Sequence, residues 1–294
     1  MRKNSEDYRT DTTLLKSLTS PAKINWFLKV TGKRPDGYHN LFTLMQKIDL
    51  NDQLFFYESE TLEVVNTLGI PQEKDIAYRA AMALRHFSGT KRAVRIEIKK
   101  TIPEEAGLGG GSSNGATVLR GLNDLWKLDI SVPELMNLGA GLGSDVPFFV
   151  QEHPLAVVES KGEVVRPLAV GSSGIVLLLL KPPFGVSTAR AYALLRRYSE
   201  RAYCEELLER AIRTIEEGNL KSLATCLEND LEEPAFELAP ELRDLKKTLI
   251  EAGALGALVS GSGSSVFGVF ETKKAALQAA RKFSGVKVFV VETL

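Results

Sequence analysis

The segment Pro103-Glu-Glu-Ala-Gly-Leu-Gly-Gly-Gly-Ser-Ser113 constrains the local fold more than any other part of this chain. Four of the five residues from Gly107 to Gly111 are glycine, so the backbone there can adopt positive φ and approach a ligand closely. A helical pattern runs from Ser112 to about Trp126, which places free N–H groups and the positive end of a helix dipole at the loop. The segment therefore predicts a polyphosphate site, to which the Ser112 and Ser113 hydroxyls can add hydrogen bonds.

Two common phosphate-binding motifs do not fit this loop. A Walker-type P-loop requires a lysine, which the segment lacks, and the dinucleotide fingerprint starting at Gly107 has Ser112 where its third glycine belongs. A dinucleotide-dependent oxidoreductase is therefore disfavoured. A tight connection that merely precedes a helix remains the alternative for a glycine cluster taken alone.

Composition excludes several other classes of protein. Lys plus Arg and Asp plus Glu both number 37, so the formal net charge is zero and no nucleic-acid or anionic membrane partner is indicated. The two cysteines and three histidines have no zinc-type spacing. We interpret Cys204 and Cys226 as reduced thiols packed in a cytosolic protein.

No segment resembles a membrane span or a targeting signal. The longest apolar run, Ile175–Leu180, is far shorter than the ~20 residues that a span needs. The polar first twenty residues have no apolar h-region, and their acidic residues, Glu6, Asp7 and Asp11, are atypical of an organellar transit peptide. We interpret them as a short extension and expect a cytoplasmic protein, a monomer or weak homodimer.

Strand and helix patterns alternate without a regular βαβ repeat, which favours an α+β fold. The predicted strands are Ala22–Val30, Phe42–Leu50, Gln53–Tyr57, Val94–Lys99, Leu155–Glu159, Ile175–Leu180, Ala257–Ser260, Ser265–Phe270 and Val286–Val291. The predicted helices are Asp75–Phe87, Ser112–Trp126, Pro133–Gly141, Thr188–Arg197, Ala202–Glu217, Leu220–Glu228, Pro240–Ala252 and Lys273–Phe283. The small, flexible stretch Val170-Gly-Ser-Ser-Gly174 divides the chain into an N-terminal domain (20–170) and a C-terminal domain (171–294).

Lys23 and Asp145 are candidate catalytic residues. Phosphoryl transfer needs an aspartate that orients the attacking hydroxyl and a cation that neutralises developing charge. Asp145 lies in Gly143-Ser-Asp-Val-Pro147, and Lys23 lies on the first predicted strand. Taken alone, Asp145 also fits a helix N-cap and Lys23 a solvated strand lysine, and sequence spacing does not show that the two residues meet.

Three segments together resemble the motifs of the GHMP kinases: Pro21-Ala-Lys-Ile-Asn25, the Gly107–Ser113 loop and Gly261-Ser-Gly263. Two more, Arg34-Pro-Asp-Gly-Tyr-His39 and Gly143-Ser-Asp-Val-Pro-Phe148, resemble the branch of the superfamily that phosphorylates a cytidine-diphosphate-linked methylerythritol in non-mevalonate isoprenoid biosynthesis. The resemblance runs from about Ser20 to the C-terminus.

This resemblance implies an N-terminal ATP-binding domain like ribosomal protein S5 domain 2 and a ferredoxin-like, substrate-binding C-terminal domain. Lys23 and Asp145 match the catalytic pair. The acceptor lies between the domains and is phosphorylated on its 2-hydroxyl, giving the 2-phosphate and ADP. Mg²⁺ accompanies the nucleotide, with ligands that the sequence does not identify. The implied ATP-binding residues are Pro103, Glu104, Glu105, Ala106, Gly107, Leu108, Gly109, Gly110, Gly111, Ser112 and Ser113.

The resemblance also implies the acceptor-binding residues. Tyr38 can stack on a cytosine ring and His39 can hydrogen-bond to its edge. Tyr192 is placed to complete an aromatic sandwich, although an amphipathic helix could equally use it as a core residue. Asn25 and Thr188 are further substrate candidates.

One departure from the family pattern concerns charge. Glu104 and Glu105 precede Ala-Gly-Leu-Gly where relatives have small or uncharged residues. Two carboxylates would repel a triphosphate unless they point to solvent. The Gly261-Ser-Gly263 segment is expected to form a tight turn beside the site.

Two other functions are compatible with the same motifs. One is a kinase for another small alcohol, such as homoserine or a mevalonate, against which the Asp-Gly-Tyr-His element argues. The other is a non-catalytic nucleotide-binding relative, against which the presence of both Lys23 and Asp145 argues.

Overall fold

The computed structural model describes residues 13–67, 69 and 71–294, and they form two antiparallel-rich sheets with helices packed on both. The strands are β1 (Leu14–Lys33), β2 (His39–Glu58), β3 (Glu63–Asn66), β4 (Val94–Lys99), β5 (Leu155–Ser160), β6 (Val164–Pro167), β7 (Val176–Lys181), β8 (Glu228–Asn229), β9 (Gly256–Val259), β10 (Val266–Phe270) and β11 (Lys287–Glu292). The helices are α1 (Ile76–Ser88), α2 (Gly110–Trp126), α3 (Val132–Ala140), α4 (Val146–Val150), α5 (Thr188–Ala193), α6 (Arg201–Glu216), α7 (Leu220–Ala224), α8 (Glu232–Leu238), α9 (Glu241–Glu251) and α10 (Lys273–Ala280), with a 3₁₀ turn at Gln72–Lys74.

The first sheet is organised by the long β1–β2 hairpin. One edge of β2 pairs with β1, and its other edge pairs with β5 through residues 41–46 and with β4 through residues 53–58. Strand β3 extends the sheet beyond β4, β6 extends it beyond β5, and β8 pairs with the outer edge of β1. The hairpin turn contains Gly37, at φ 88°, a conformation that glycine adopts without strain.

The second sheet has the strand order β11-β7-β10-β9 and is entirely antiparallel. On one face its side chains pack with helices α8, α9 and α10. On the other face they share a core with β1, where Trp26 meets Phe267 edge-on at 6.2 Å between ring centroids. Helices α1, α2 and α4 cover the remaining face of the first sheet. Burial of these apolar faces is the main force that joins the two halves.

The mixed α+β architecture agrees with the sequence prediction, but several element boundaries were wrong. The two strands predicted at Phe42–Leu50 and Gln53–Tyr57 are one continuous strand, β2, because the buried Asp52 accepts backbone N–H bonds from Thr101 and Ile102 instead of forming a turn. Helix α5 ends at Ala193 rather than Arg197, and α7 ends at Ala224, so that Glu228 belongs to β8.

The expectation that the first twenty residues form an extension was wrong for residues 14–20. Residues from Leu14 onward belong to β1, where Leu14 pairs with Tyr57 of β2. Glu6, Asp7 and Asp11 lie outside the described residues.

Both cysteines are buried and free. The two-residue β8 comes from the C-terminal segment and joins the first sheet, and the division at residue 170 stays a prediction.

Candidate active site

The glycine loop is shaped by contact with the late Gly261-Ser-Gly263 turn. Gly107 has φ 72°, and a Cβ on it would lie 1.9 Å from the carbonyl oxygen of Ser260, so no side chain fits there. The Ser260 hydroxyl donates to the Gly107 carbonyl at 3.1 Å, and Ser265 N–H donates to the Ala106 carbonyl at 3.2 Å. The turn therefore packs directly on the loop, as the sequence predicted.

A cavity of about 580 Å³ lies against this loop at the start of α2. Every predicted ATP-binding residue lines it except Ser113. Ser113 is fully buried, and its hydroxyl accepts a 2.7 Å hydrogen bond from Ser20. Its role is thus to join α2 to β1, whereas Ser112 remains at the cavity.

The two glutamates of the loop line the same cavity as its glycines, and the Glu105 side chain reaches toward the C-terminal half of the molecule. Both residues are exposed, and Glu105 Oε2 lies against Gly185, where an added Cβ would approach it to 2.2 Å. Glu105 attracts Lys181, which opposes the lowering of the Lys181 pKa by burial. The charge of Glu105 is therefore partly directed toward the C-terminal half of the molecule.

Lys23 and Asp145 meet beside the loop, with 3.6 Å between Nζ and Oδ2. Lys23 is buried rather than solvated, and its backbone N–H donates to the Leu108 carbonyl at 3.0 Å. Asp145 precedes α4, but within the described residues its carboxylate makes no capping hydrogen bond to that helix. The structure therefore disfavours a helix N-cap role for Asp145 and a solvated position for Lys23. The Asp145 carboxylate remains available to a ligand.

Asn25 holds the Lys23 ammonium in place. Lys23 Nζ donates to Asn25 Oδ1 at 2.8 Å, and Asn25 Nδ2 donates to the Thr43 hydroxyl at 2.7 Å. The Thr43 hydroxyl in turn donates to the Phe27 carbonyl at 2.6 Å. Asn25, predicted as a substrate residue, is fully buried behind Lys23 and does not line a described cavity.

A second cavity, of about 600 Å³, lies on the other side of Asp145. It is lined by Tyr38, His39 and Tyr192 together with Asp145 and Thr188. Thr188 lines both cavities. The structure therefore brings the predicted acceptor residues together, apart from Asn25, and places them next to the candidate catalytic aspartate.

The aromatic residues of this second cavity are arranged in an unexpected way. His39 stacks on Tyr192, with ring centroids 4.9 Å apart and 20° between planes. Burial, and to a lesser degree the charge of Lys33, lower the pKa of His39, so its ring is neutral near neutral pH. Burial and then the Asp145 charge raise the pKa of Tyr192. A base between Tyr38 and Tyr192 stays a prediction, because His39 occupies one face of Tyr192.

Tyr38 is presented to solvent by its own turn. Its side chain is 55% exposed, and its backbone N–H donates to Asp36 Oδ1 at 3.1 Å. The Lys161 ammonium lies 5.4 Å from the centroid of its ring, within the range of a cation–π contact. The Asp-Gly-Tyr-His element thus exposes an aromatic face at the mouth of the second cavity.

The chain matches the family models of the GHMP kinases N terminal domain over residues 75–153 and the GHMP kinases C terminal over residues 207–287. A 4-diphosphocytidyl-2-C-methyl-D-erythritol kinase of Thermodesulfovibrio yellowstonii is 43% identical, and the match covers 93% of this chain and 96% of the relative. A kinase of the same name from Syntrophotalea carbinolica is 42% identical, with 95% and 99% covered. The chain belongs to this kinase family.

Structural comparison agrees with the family assignment. A crystal structure of 4-(cytidine 5'-diphospho)-2C-methyl-D-erythritol kinase matches with a TM-score of 0.79 at 32% identity, covering 94% of this chain and 99% of the other. Homoserine kinase from Cytophaga hutchinsonii has a TM-score of 0.70 at 19% identity, covering 95% and 96%, and shares the fold alone. The GHMP kinase resemblance, the fold and the prediction of an ATP-dependent small-molecule kinase are confirmed.

Sequence reasoning missed Lys161, which lines the second cavity. Lys161 lies in the β5–β6 turn, where Gly162 has φ 122° and an added Cβ would lie 2.5 Å from the Ser144 carbonyl oxygen. The turn therefore packs against the residue that precedes Asp145. The only local sequence signal for this position is the pair Lys161-Gly162 directly after β5, and that pair matches no known motif.

Two absences concern only the described residues. Between residues 13 and 294, leaving out 68 and 70, no group of three or more His, Cys, Asp or Glu side chains is arranged to hold a metal ion. Nor is any helix of that region long and apolar enough to cross a membrane.

Proposed function

We propose that this chain transfers the γ-phosphoryl group of ATP to the 2-hydroxyl of 4-diphosphocytidyl-2-C-methyl-D-erythritol, giving the 2-phosphate and ADP. One observation carries the proposal: Asp145 lines one cavity, while Lys23, 3.6 Å from it, is bonded through its backbone to the loop that lines the other. A donor in the first cavity and an acceptor in the second would meet at this pair. The relatives named for this reaction support the choice of acceptor.

The glycine loop holds the triphosphate in this proposal. Gly109 is the N-cap of α2, and the N–H groups of the following residues are unused by the helix. They face the cavity with the positive end of the helix dipole behind them. Because phosphoryl transfer depends on positioning and charge neutralisation, this cradle contributes to the rate as well as to binding.

Asp145 orients the acceptor hydroxyl and takes its proton as the bond to phosphorus forms. Lys23 holds that carboxylate in place through their ion pair and stabilises the negative charge that develops on the transferred group. Asn25 acts indirectly, since it fixes the Lys23 ammonium that contacts the carboxylate and the transferred group. The low exposure of Lys23 makes its charge more effective than it would be in water.

Mg²⁺ fits the oxygen groups at the junction of the two cavities. Proteins bind Mg²⁺ through one or two carboxylates plus the substrate's phosphates rather than through a full protein cage. The Ser112 hydroxyl is the side-chain group that we assign to it, which leaves the Asp145 carboxylate free for the acceptor hydroxyl. When bound, the ion supplies neutralising charge to the β- and γ-phosphates.

The acceptor's base is recognised at the Tyr38 end of the second cavity. Tyr38 offers an exposed ring face and neutral His39 offers a donor and an acceptor to the cytosine edge. Thr188 contacts the part of the acceptor nearest the phosphates. Residues 20–170 then form the ATP-binding domain, and residues 171–294 contribute Thr188 and Tyr192 to the acceptor. Oligomeric state and cytoplasmic location stay predictions.

The test is ADP release from Mg·ATP with each of four acceptors offered separately: 4-diphosphocytidyl-methylerythritol, homoserine, mevalonate and galactose. We expect turnover with the cytidine compound alone. Turnover with another acceptor would keep the transfer chemistry but contradict the acceptor assignment. ATP binding without turnover of any acceptor would contradict the proposed reaction itself.

A further inference from the structure

Two lysines from directly paired positions of the β1–β2 hairpin contact the opposite ends of the short helix α4. Lys23 and Lys47 are cross-strand partners. Lys23 Nζ lies 3.6 Å from Asp145, which precedes α4, whereas Lys47 Nζ donates to the carbonyl of Gln151, which follows it, at 2.6 Å. Five helical residues span only about 7.5 Å. The candidate catalytic aspartate is therefore one short rigid element away from Lys47.

The ammonium of Lys47 is committed to the backbone of this segment. It also reaches the Glu152 carbonyl at 3.5 Å and lies 5.5 Å from the centroid of the Phe148 ring. No carboxylate in the described part of the chain lies within ion-pair distance of it, because the Glu152 carboxylate pairs with Arg120 instead. The last carbonyls of a helix carry partial negative charge, so a cation there stabilises the helix end.

The buried ammonium of Lys47 destabilises the fold compared with an apolar side chain at the same position. Its residue is 5% exposed, and burial lowers the pKa of its amine from 10.5 to about 7, with repulsion from Arg120 adding to the effect and Glu152 opposing it. A buried charge without an ionic partner destabilises a fold compared with an apolar side chain of similar size. Residues that lower stability in this way concentrate at functional sites.

We propose that Lys47 is a positioning residue for phosphoryl transfer: by binding the carbonyls of Gln151 and Glu152, it fixes α4 and so keeps the Asp145 carboxylate beside Lys23. The inference rests on the catalytic role assigned to Asp145 in the proposed function. Lys47 itself lines neither the cavity at the glycine loop nor the second cavity beside Asp145. It borders a separate cavity of about 590 Å³.

Protonation of Lys47 should set how firmly α4 is held. The groups that face it are Arg120 of α2, Glu152 after α4, Lys23 on the adjacent strand and the C-terminal residue Leu294, whose N–H donates to the Lys47 carbonyl. Below about pH 7 the charged amine makes charge-assisted bonds to the carbonyls, which are stronger than those of the neutral amine above it. Burial lowers the pKa of His39, and His39 is the same in the wild type and the Lys47 variants, so its titration cancels when their kcat values are compared.

The experiment compares kcat, both KM values and melting temperature for the wild type, Lys47→Met and Lys47→Arg over about pH 6 to 9. We expect Lys47→Met to lower kcat roughly tenfold at pH 6, with both KM values nearly unchanged and no loss of melting temperature. The ratio of wild-type to Lys47→Met kcat should fall roughly three- to tenfold by pH 9, and this ratio cancels any titration of the substrates. Lys47→Arg, charged at every pH, should recover part of kcat without that fall.

Lys181 provides a matched control. Its buried amine also donates to backbone carbonyls, those of Pro182 and Phe184, but it lies outside α4 and its neighbours. Lys181→Met should leave the pH dependence of kcat unchanged, and any effect through Glu105 of the glycine loop should appear in the KM for ATP. The inference would be overturned if the ratio of wild-type to Lys47→Met kcat stayed constant across pH. It would also be overturned if the loss of kcat were matched by a lower melting temperature. Turnover by the wild type with none by Asp145→Asn would show that the proposed function survives such a result.

Discussion

The hydroxyls of Thr188 and Ser262 are joined by a 2.8 Å hydrogen bond, and Thr188 lines both the cavity at the glycine loop and the second cavity beside Asp145. This bond ties the N-terminus of α5 to the Gly261-Ser-Gly263 turn, which in turn packs on the glycine loop. The two ligand sites are thus connected through one side-chain pair. Its loss should affect the alignment of the two substrates.

Thr188→Ala should lower kcat/KM for the acceptor by roughly five- to tenfold, because it leaves the Ser262 hydroxyl unpaired at a cost of about 1 kcal/mol. Thr188→Ser keeps the hydroxyl and should retain most activity. The measurement is steady-state kinetics for both substrates. Equal loss in the two variants would show that the methyl group, and not the hydrogen bond, matters.

Gly107→Ala should abolish nucleotide binding. The new Cβ would lie 1.9 Å from the Ser260 carbonyl oxygen at a backbone φ of 72°, so the loop must move at a cost of at least about 2 kcal/mol. Gly171→Ala is the control, since nothing lies within 4 Å of its added Cβ. Titration calorimetry with ATP should show binding for the control alone; normal affinity in Gly107→Ala would exclude the close packing of loop and turn.

Lys47→Met should stabilise the protein most at low pH. The unfolded amine keeps a proton up to about pH 10.5, whereas the folded one loses it near 7, so between these values the unfolded state binds more protons and wild-type stability rises with pH. The cost of the buried charge is therefore full below pH 7, on the order of 5 kcal/mol, and fades toward pH 10.5. Urea unfolding of both proteins across that range measures the difference, and a difference independent of pH would contradict the lowered pKa.

His39→Ala should raise the acceptor KM roughly tenfold and leave the KM for ATP unchanged, because a polar contact to the base is lost. His39→Phe retains the stack on Tyr192 and isolates that contact. The exposed His86 of α1 supplies a neutral control substitution, His86→Ala. A change confined to the ATP KM would place the cytidine elsewhere.

Local sequence signals predicted the groups that carry the chemistry, because their positions depend on near neighbours. Glycines with positive φ before a helix, and the Asp36 carboxylate that accepts from the Tyr38 N–H, are short-range features. The continuation of β2 through Asp52 was missed because amides from residues 101 and 102 decide it. Lys161 and Lys47 were missed for the same reason, since their partners are far away in sequence and no periodic pattern marks them.

The central claim is that Asp145, held beside Lys23, activates the acceptor hydroxyl. Asp145→Asn keeps the size of the side chain and removes its charge. The direct test measures ADP release from Mg·ATP with 4-diphosphocytidyl-methylerythritol, and the binding of both ligands, in the same preparations of wild type and variant. We expect kcat to fall by at least about a thousandfold, with affinity for both ligands within a few-fold of wild type. Wild-type turnover by Asp145→Asn would contradict the account.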